Sequence, residues 1–310
     1  MRRRASFVVL KVCGKGGHCT VPGISLRGFT LIELLVVIAI IALLMAVLMP
    51  ALTRVKKQAK TVVCQARLHQ WGTAWKLYTE EHNGRFLSGD EWSEIMGEGS
   101  GFKDEAKIDD HDHSWPLVLR EYYGNEKLLC CPTADKRPLW LEGARVRKDN
   151  IFSCWGLWVK YPTKYIHGSY GVNSWIYDRG HKDGVKLWGR FQTKGAFKIP
   201  LMLDCYWCEG YPRHRDDPPP DRFYGEFGDH LNYMKRFCID RHDETTNGLF
   251  LDLSSKKVGL KQLWELKWHE CWYNNAVCSD PPDYTPPAWD IEAPWMAHMK
   301  DYSRSVASVP

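Results

Sequence analysis

Six cysteines could act in pairs, either as metal ligands or as disulfide partners: Cys130 with Cys131, Cys205 with Cys208, and Cys271 with Cys278. Thiolates bind zinc in pairs of this kind, and the Cys-x-x-Cys spacing at 205–208 also suits thiol–disulfide exchange. The spacings fit neither a zinc finger nor a zinc ribbon. We therefore favour structural disulfides if the domain is exported, and we keep a metal site and redox activity as alternatives.

Histidine and carboxylate side chains supply two further candidate sites. His242 and Asp252 could meet at one edge of a sheet and bind a metal, with calcium as the candidate ion and His230 as a further ligand. A structural ion pair between Arg241 and Asp252 is an equal alternative. The segment 109–113 reads Asp-Asp-His-Asp-His, but it lacks the glycine and distal glutamate of usual calcium loops, so we interpret it as a solvated acidic loop.

Glu33 is a carboxylate within an otherwise apolar segment. Between Phe29 and Met49 the only polar residues are Thr30 and Glu33, and a helix of that length spans about 30 Å, the thickness of a bilayer core. Residues 1–28 hold six basic side chains and no acid, so we expect them to stay in the cytoplasm. A carboxylate in a spanning helix is costly unless it is paired, which makes Glu33 a functional candidate.

The elements that follow must position these side chains. Apolar residues recur at three- and four-residue spacing from Leu52 to Tyr78, which predicts that the helix continues past Pro50 as an amphipathic segment over 51–83, with Gly84 as its cap. We expect Trp71 and Trp75 to contact the core. Predicted strands cover 166–172, 201–204, 248–253 and 256–260, the last two as a hairpin, and a helix is predicted over 264–273.

The residues from Gly28 to Ala42 read Gly-Phe-Thr-Leu-Ile-Glu followed by an apolar run. This segment resembles the cleavage and methylation signal of type IV pilins and type II secretion pseudopilins. The resemblance implies that a prepilin peptidase cuts between Gly28 and Phe29, that Phe29 becomes N-methylated, and that Glu33 sets register during assembly. It also implies a pilin-like α+β fold, in which a long N-terminal helix packs on an antiparallel sheet with long loops, and a globular domain over 84–310.

The later motifs are similar to a large group of pseudopilin-like proteins that many planctomycete-type bacteria encode. They include Cys131-Pro132, Ser169 to Asn173, Arg241-His242 and Gly248 to Asp252. The group often reads His-Asn-Gly-Gly and then Asp-Gly-His, whereas here residues 243–246 replace the glycines and Leu253 replaces the Gly after Asp252. Related pseudopilins bind calcium in C-terminal loops, which is a further basis for the calcium hypothesis.

Several functional classes are disfavoured by the sequence. It has no Gly-x-Ser-x-Gly, His-Glu-x-x-His or phosphate-loop motif, so we expect no enzyme, and a metal-dependent hydrolase using His242 and Asp252 is a weak third hypothesis. The main expectation is a subunit of a type II secretion or type IV pilus-like assembly on an inner-membrane platform. The alternative is a membrane-anchored glycan-binding surface protein, because all 15 tryptophans follow the apolar segment.

The net charge of the chain resides in its leader. The whole sequence has 42 basic and 37 acidic side chains, a formal charge of +5. Removing residues 1–28 leaves 36 basic against 37 acidic side chains, a formal charge of −1. The predicted mature chain, an inner-membrane protein with one spanning helix and a periplasmic or cell-surface domain, is therefore not expected to bind nucleic acid.

Overall fold

A computed structural model describes residues 30–88, 114–134, 151–159, 164–178, 187–222, 232–270, 272 and 287–300. The chain divides into two compact units, 1–54 and 55–310. The main helix, α1, covers Leu31–Glu81 and contributes to both units. It continues through Pro50, as predicted, and it ends at left-handed residues Asn83 and Gly84, where the Gly84 amide donates to the Thr79 carbonyl.

The part of α1 within the second unit buries one face. Its buried side chains recur every three or four residues, which is the period of one face of a helix: Thr61, Cys64, Leu68, Trp71, Trp75 and Tyr78. Trp71 and Trp75 are fully buried, which confirms that they are core residues. A Cβ added to Gly72 would lie 3.1 Å from the Leu249 side chain, so the helix backbone packs closely on the sheet at this point.

The strands form two sheets, and their bounds are β1 Trp155–Val159, β2 Lys164–Gly168, β3 Tyr170–Asn173, β4 Pro200–Asp204, β5 Glu209–Gly210, β6 Thr245–Phe250 and β7 Ser255–Gly259. Strands β1 and β2 pair as an antiparallel hairpin, and the other five form a sheet of order β5-β3-β4-β6-β7. All pairs in the larger sheet are antiparallel except β3 with β5. The fold is α+β and pilin-like, with a long N-terminal helix packed on the sheet.

Short helical segments complete the described fold. The α-helical turns are Trp115–Val118, Arg120–Tyr123, Met234–Phe237 and Trp289–Glu292. The 3-10 turns are Glu126–Leu129, Ser174–Ile176, Ala196–Lys198, Lys261–Glu265 and Pro294–Met296. These turns lie in the connections, so the regular elements that position buried side chains are α1 and the sheet.

The predicted hairpin at the C-terminal end of the sheet is confirmed. Strands β6 and β7 pair in antiparallel register, with β6 beginning and ending three residues earlier than predicted, and the predicted strand 201–204 lies within β4. The predicted strand 166–172 is interrupted at Ser169, because its two halves belong to different sheets.

The predicted helix over 264–273 is wrong in the described part of that segment. A short 3-10 helix ends at Glu265, and the chain beyond it is not helical. The backbone there bonds to distant segments instead: the Lys267 amide donates to the Lys198 carbonyl, and the Trp268 carbonyl accepts from the Asn173 amide group at 2.9 Å. Tertiary hydrogen bonds have replaced the intrahelical ones that the apolar spacing suggested.

Candidate functional site

The first turn of α1 holds the described part of the predicted assembly site. The Glu33 Oε2 atom accepts hydrogen bonds from the Thr30 backbone N at 2.8 Å and from the Thr30 Oγ1 at 2.7 Å. This is a capping arrangement, in which the third residue of the helix satisfies a free amide at its start. Both side chains are exposed. Gly28 and Phe29, the predicted cleavage pair, lie outside the described residues.

The residues after Glu33 present an apolar surface on every side of the helix. All side chains from Leu34 to Met49 are exposed in the isolated chain, and none of them is charged. Among the described residues, α1 is the one helix long and apolar enough to cross a membrane. A helix that is hydrophobic all round is stable only in lipid or against other apolar helices.

A second site lies within the globular unit, where two thiols, an imidazole and a carboxylate converge. Donor atoms of Cys64, Cys131, Asp204 and His242 all lie within 4.8 Å of one another, and all four residues are buried. The His242 Nε2 atom is 3.0 Å from Asp204 Oδ2 and 3.2 Å from the Cys131 Sγ. The Cys64 Sγ is 3.4 Å from the same Asp204 oxygen. We refer to these four residues as the Cys–Asp–His cluster.

Four separate elements position the Cys–Asp–His cluster. Cys64 lies on the buried face of α1, Cys131 follows the 3-10 turn Glu126–Leu129, Asp204 ends β4, and His242 precedes β6. The Cys131 amide donates to the Ser169 Oγ at 2.5 Å, which fixes the position of that thiol. The cluster therefore connects the helix, the sheet and two loops.

Burial and mutual contact shift the pKa values of the cluster in opposite directions. Burial alone would raise the pKa of the Cys131 thiol, but hydrogen bonds with Cys64 and His242 lower it to about 6. Burial alone would lower the pKa of His242, but the Asp204 carboxylate and the Cys131 thiol raise it to about 10. The pKa of Cys64 is raised by burial and by its neighbours Cys131 and Asp204. The directions of these shifts favour a thiolate at Cys131 and an imidazolium at His242.

Comparison with known proteins bears on the N-terminal segment. Residues 26–49 match the prokaryotic N-terminal methylation motif. The chain is also 47% identical over 57 residues to the type IV wide pilus major component PilA4 of Thermus thermophilus. The aligned segment makes up 18% of this chain and spans 44% of that pilin. No solved structure matches the chain.

The N-terminal segment is type IV pilin-like, and α1 is long and apolar enough to anchor the chain in a membrane. The matched motif contains the Thr30–Glu33 turn and the whole exposed apolar run. The Cys–Asp–His cluster lies beyond the 24 residues of the motif.

The structure separates His242 from Asp252, the other predicted metal ligand. Asp252 is exposed in the turn after β6, where its Oδ1 accepts from the Ser254 amide at 3.0 Å and from the Ser254 hydroxyl at 2.6 Å. Arg241 is buried and binds Asp204 and not Asp252. The two residues proposed for calcium or for a hydrolase therefore do not share a site, and the thiols beside His242 do not suit calcium, which prefers oxygen ligands.

The remaining predicted cysteines have different surroundings. Cys205 and Cys208 are buried in the pilin-like domain, and burial raises the pKa of both thiols, that of Cys205 to about 12. Neutral buried thiols are poor nucleophiles, so this Cys-x-x-Cys pair does not suit redox catalysis. Cys130 is half-buried, with its Sγ 3.7 Å from the Cys154 Sγ. Cys271 and Cys278 lie outside the described residues, as do His230 and the segment 109–113.

The tryptophans belong mainly to the core of the pilin-like domain. Of the twelve whose side chains are described, ten are buried, and Trp289 and Trp295 are half-buried. Several indole nitrogens donate to backbone carbonyls inside the core, such as Trp71 to Leu128 at 2.9 Å and Trp115 to Cys208 at 2.7 Å. The described residues thus offer no exposed row of tryptophans on which a sugar could stack, and the glycan-binding hypothesis gains no support from them.

Sequence reasoning missed two members of the Cys–Asp–His cluster. The sequence motifs give Cys64 no role, and they place Asp204 only at the end of a predicted strand. One pattern in the sequence does point to them. Cys64 lies on the apolar face of the predicted helix, Asp204 follows an apolar strand, and a buried polar side chain at such a position needs a partner. Their convergence with Cys131 and His242 depends on tertiary packing over 178 residues of sequence, from 64 to 242.

Proposed function

We propose that the mature chain is a subunit of a type II secretion or type IV pilus-like assembly and that it polymerises through the apolar part of α1. The observation that carries the proposal is the exposure of the whole run from Leu34 to Met49, preceded by Glu33 as the one charge in that part of the helix. A surface of this kind needs lipid before assembly and neighbouring helices after it.

Glu33 is the proposed register device of the assembly. In the isolated chain its carboxylate already faces back toward the start of the helix, where it binds Thr30. In an assembly the same oxygens could accept from the α-amino group of Phe29 on a neighbouring subunit. Pairing would offset the desolvation of both charges, and a subunit shifted along the helix axis would leave them unpaired.

The proposed membrane arrangement follows from the charges around the helix. The basic segment 1–28 stays in the cytoplasm, α1 crosses the inner membrane once, and the domain from 84 onward is periplasmic or on the cell surface. The proposed partners are a prepilin peptidase, other pilin or pseudopilin subunits, and the inner-membrane platform that assembles them. The segment 51–83 would join the spanning part to the domain.

Mass spectrometry of the mature N-terminus tests the processing step. We expect the chain isolated from membranes to begin at Phe29 with one added methyl group. An unprocessed chain, or one cut at another bond, would contradict the proposed cleavage between Gly28 and Phe29. A Gly28→Ile variant should accumulate at its full length, whereas a Gly23→Ile variant, which changes the leader away from the bond, should be processed normally.

Substitution of Glu33 tests the assembly step separately. Glu33→Ala and Glu33→Gln should both be processed and methylated, and both should be lost from sheared or crosslinked assemblies. Leaving one charge of a desolvated pair alone costs about 3–5 kcal/mol, so we expect incorporation to fall at least about 100-fold. Glu80→Ala, which removes an exposed carboxylate near the other end of α1, is the matched control and should assemble normally. Normal incorporation of the Glu33 variants would overturn the role of this residue.

A further inference from the structure

The donor atoms of the Cys–Asp–His cluster lie close enough together to surround one metal ion. Zinc binds sulfur at about 2.3 Å and nitrogen or oxygen at about 2.0–2.2 Å, which in a tetrahedron places neighbouring donor atoms about 3.3–3.8 Å apart. Three of the six donor–donor distances among His242, Asp204 and the two thiols are 3.0, 3.2 and 3.4 Å, and all six are within 4.8 Å. The spacing of the donor atoms is therefore close to that of a tetrahedral zinc site.

The hydrogen bonds of Thr61 fix which nitrogen of His242 faces the cluster. The Thr61 hydroxyl donates to the Lys57 carbonyl at 3.1 Å, so toward the His242 Nδ1, also at 3.1 Å, it acts as an acceptor. Nδ1 therefore carries a hydrogen, and Nε2 is the atom that points at Cys131 and Asp204. Loss of one proton from Nε2 exposes a lone pair directed at the centre of the cluster, in the tautomer that metal-binding histidines use.

The other ligand candidates are also held by outer hydrogen bonds. The Tyr170 hydroxyl donates to the Cys64 Sγ at 3.2 Å, and the Asn247 amide donates to the Asp204 Oδ2 at 3.1 Å. The Arg241 guanidinium lies 3.5 Å from the Asp204 Oδ1 and also donates to the Ser153 and Ser169 carbonyls. Partners of this kind orient ligands before a metal arrives.

The charges of the buried groups match those of a zinc complex. Two thiolates and one carboxylate carry three negative charges, and Zn²⁺ with the buried Arg241 guanidinium carries three positive charges. A neutral sum allows the group to stay out of water without a large desolvation penalty. The soft sulfur and imidazole donors favour zinc over calcium or magnesium.

We propose that Cys64, Cys131, Asp204 and His242 bind one structural Zn²⁺ ion. Four protein ligands would fill the tetrahedron, so the site is closed and the ion would stabilise the fold without taking part in catalysis. Because the ligands come from α1, two loops and β4, the ion would fasten the buried half of the helix to the sheet. This proposal is independent of polymerisation, which concerns the other half of α1.

Metal analysis of the full chain tests the proposal. The chain is isolated from membranes in detergent, with part of each sample alkylated at once, and its zinc content is measured by mass spectrometry. We expect one zinc per chain and expect Cys131→Ser and His242→Gln to lose it. Cys238→Ser, which changes another buried cysteine outside the cluster, is the matched control and should keep it.

Two results would overturn the zinc site. One is a Cys64–Cys131 disulfide in the alkylated sample, because the two sulfurs would then be unable to act as thiolate ligands. The other is folded chain, with both thiols reduced, that takes up no zinc even when Zn²⁺ is added. If the Cys131→Ser chain fails to fold, the proposal is tested by adding Co²⁺ to the metal-stripped wild-type chain and recording its absorption spectrum. Tetrahedral thiolate coordination gives an intense sulfur-to-cobalt absorption, and its absence would contradict the proposal.

Thr61→Val tests the positioning of His242 without touching a ligand. The variant keeps the shape of the side chain but removes the oxygen that accepts from Nδ1. Loss of such an outer partner weakens metal binding about 10–100-fold, so we expect a competition titration with a chelator to show that change. Thr79→Val, a buried threonine elsewhere on α1, should leave zinc affinity unchanged. Equal affinities for all three chains would overturn the assignment of Nε2 as the ligand atom.

Discussion

At the residue scale, Cys130 and Cys131 are adjacent but face different surroundings. Cys130 has an extended backbone, with φ −115° and ψ 137°, and successive side chains of extended chain point to opposite sides. Cys131 consequently reaches His242, while Cys130 reaches Cys154 with 3.7 Å between the sulfurs. The Cys-Cys dipeptide therefore serves two separate sites.

We predict that Cys130 and Cys154 form a disulfide once the domain meets an oxidising compartment. The sulfurs must approach from 3.7 Å to about 2.05 Å, which small side-chain rotations allow. The bond should stabilise the domain by about 3 kcal/mol, because it closes a short loop in the unfolded chain. Peptide mapping without reduction should show the linked pair, and Cys154→Ala should leave Cys130 open to alkylation. Two alkylated thiols in the exported wild-type chain would contradict this prediction.

Ionisation of the Asp216 carboxyl makes the stability of the domain depend on pH. Its Oδ2 accepts from the Arg213 amide at 3.1 Å and from the Met234 amide at 2.8 Å. Burial raises its pKa to about 7, despite those hydrogen bonds. The folded state thus keeps a proton that the unfolded state has lost above its ordinary pKa of 3.8, and stability declines as the pH rises from about 4 to about 7.

We predict that Asp216→Asn removes this decline. The amide oxygen can accept the same two hydrogen bonds, but it does not ionise. Between pH 5 and pH 8 the variant should gain up to about 3 kcal/mol relative to the wild-type chain, measured by thermal unfolding in detergent. Asp217→Asn, at the exposed neighbouring position, should follow the wild-type profile. If the stability of Asp216→Asn instead changed with pH in parallel with that of the wild-type chain, the carboxyl would ionise as easily in the folded chain as in the unfolded one.

At the element scale, the β1–β2 hairpin closes against a glycine. Trp155 in β1 is paired with Gly168 in β2, and a Cβ at Gly168 would lie 2.1 Å from the Trp155 ring. The ring cannot move aside, because it is buried and its indole nitrogen donates to the Tyr170 carbonyl at 2.9 Å. Only glycine leaves room for the ring at this position.

We predict that Gly168→Ala destabilises the domain by about 3 kcal/mol, the upper end of the cost of overpacking a core. Gly195→Ala is the comparison: its Cβ would meet open space, and its cost of about 1 kcal/mol comes from the left-handed backbone alone, at φ +80°. Denaturant unfolding of both variants gives the two values. Similar losses would show that the hairpin relaxes around the added methyl group.

The elements that the sequence predicts well are those defined by local periodicity. The length of α1 follows from its apolar spacing, and the β6–β7 hairpin follows from alternation around a turn. Strand β5 has two residues, and it pairs in parallel with β3, so no local pattern indicates it. The Cys–Asp–His cluster is likewise non-local, because Cys64 and His242 meet only when α1 packs on the sheet. A single sequence holds no direct signal for that convergence.

At the scale of the whole molecule, the core and the membrane segment belong to different units. The buried side chains begin at Thr61, in the unit 55–310, whereas the large apolar side chains between Leu31 and Met49 are all exposed. The first unit therefore needs lipid or other subunits, and the second has a core of its own.

We predict that a chain beginning at Val55 folds and remains soluble without detergent. It keeps every described buried residue of the core, because the described part of what it loses, residues 30–54, is exposed throughout. Size-exclusion chromatography should give a single species, and circular dichroism should show a cooperative thermal transition. The chain from Leu31 should require detergent under the same conditions. Aggregation of the shorter chain would mean that residues before Val55 are needed for folding.

The distances in sequence between the partners of α1 determine when its buried face can form during synthesis of the chain. Thr61 and His242 are 181 positions apart, and Gln65 contacts Asn247 at 182 positions, although each pair is in contact in the folded chain. Under the proposed topology, α1 is synthesised before the strands, and its buried face is completed only after β6 has crossed the membrane. Contacts this remote in sequence make folding slow. Tethering by the membrane segment would keep unfinished chains apart from one another while translocation continues.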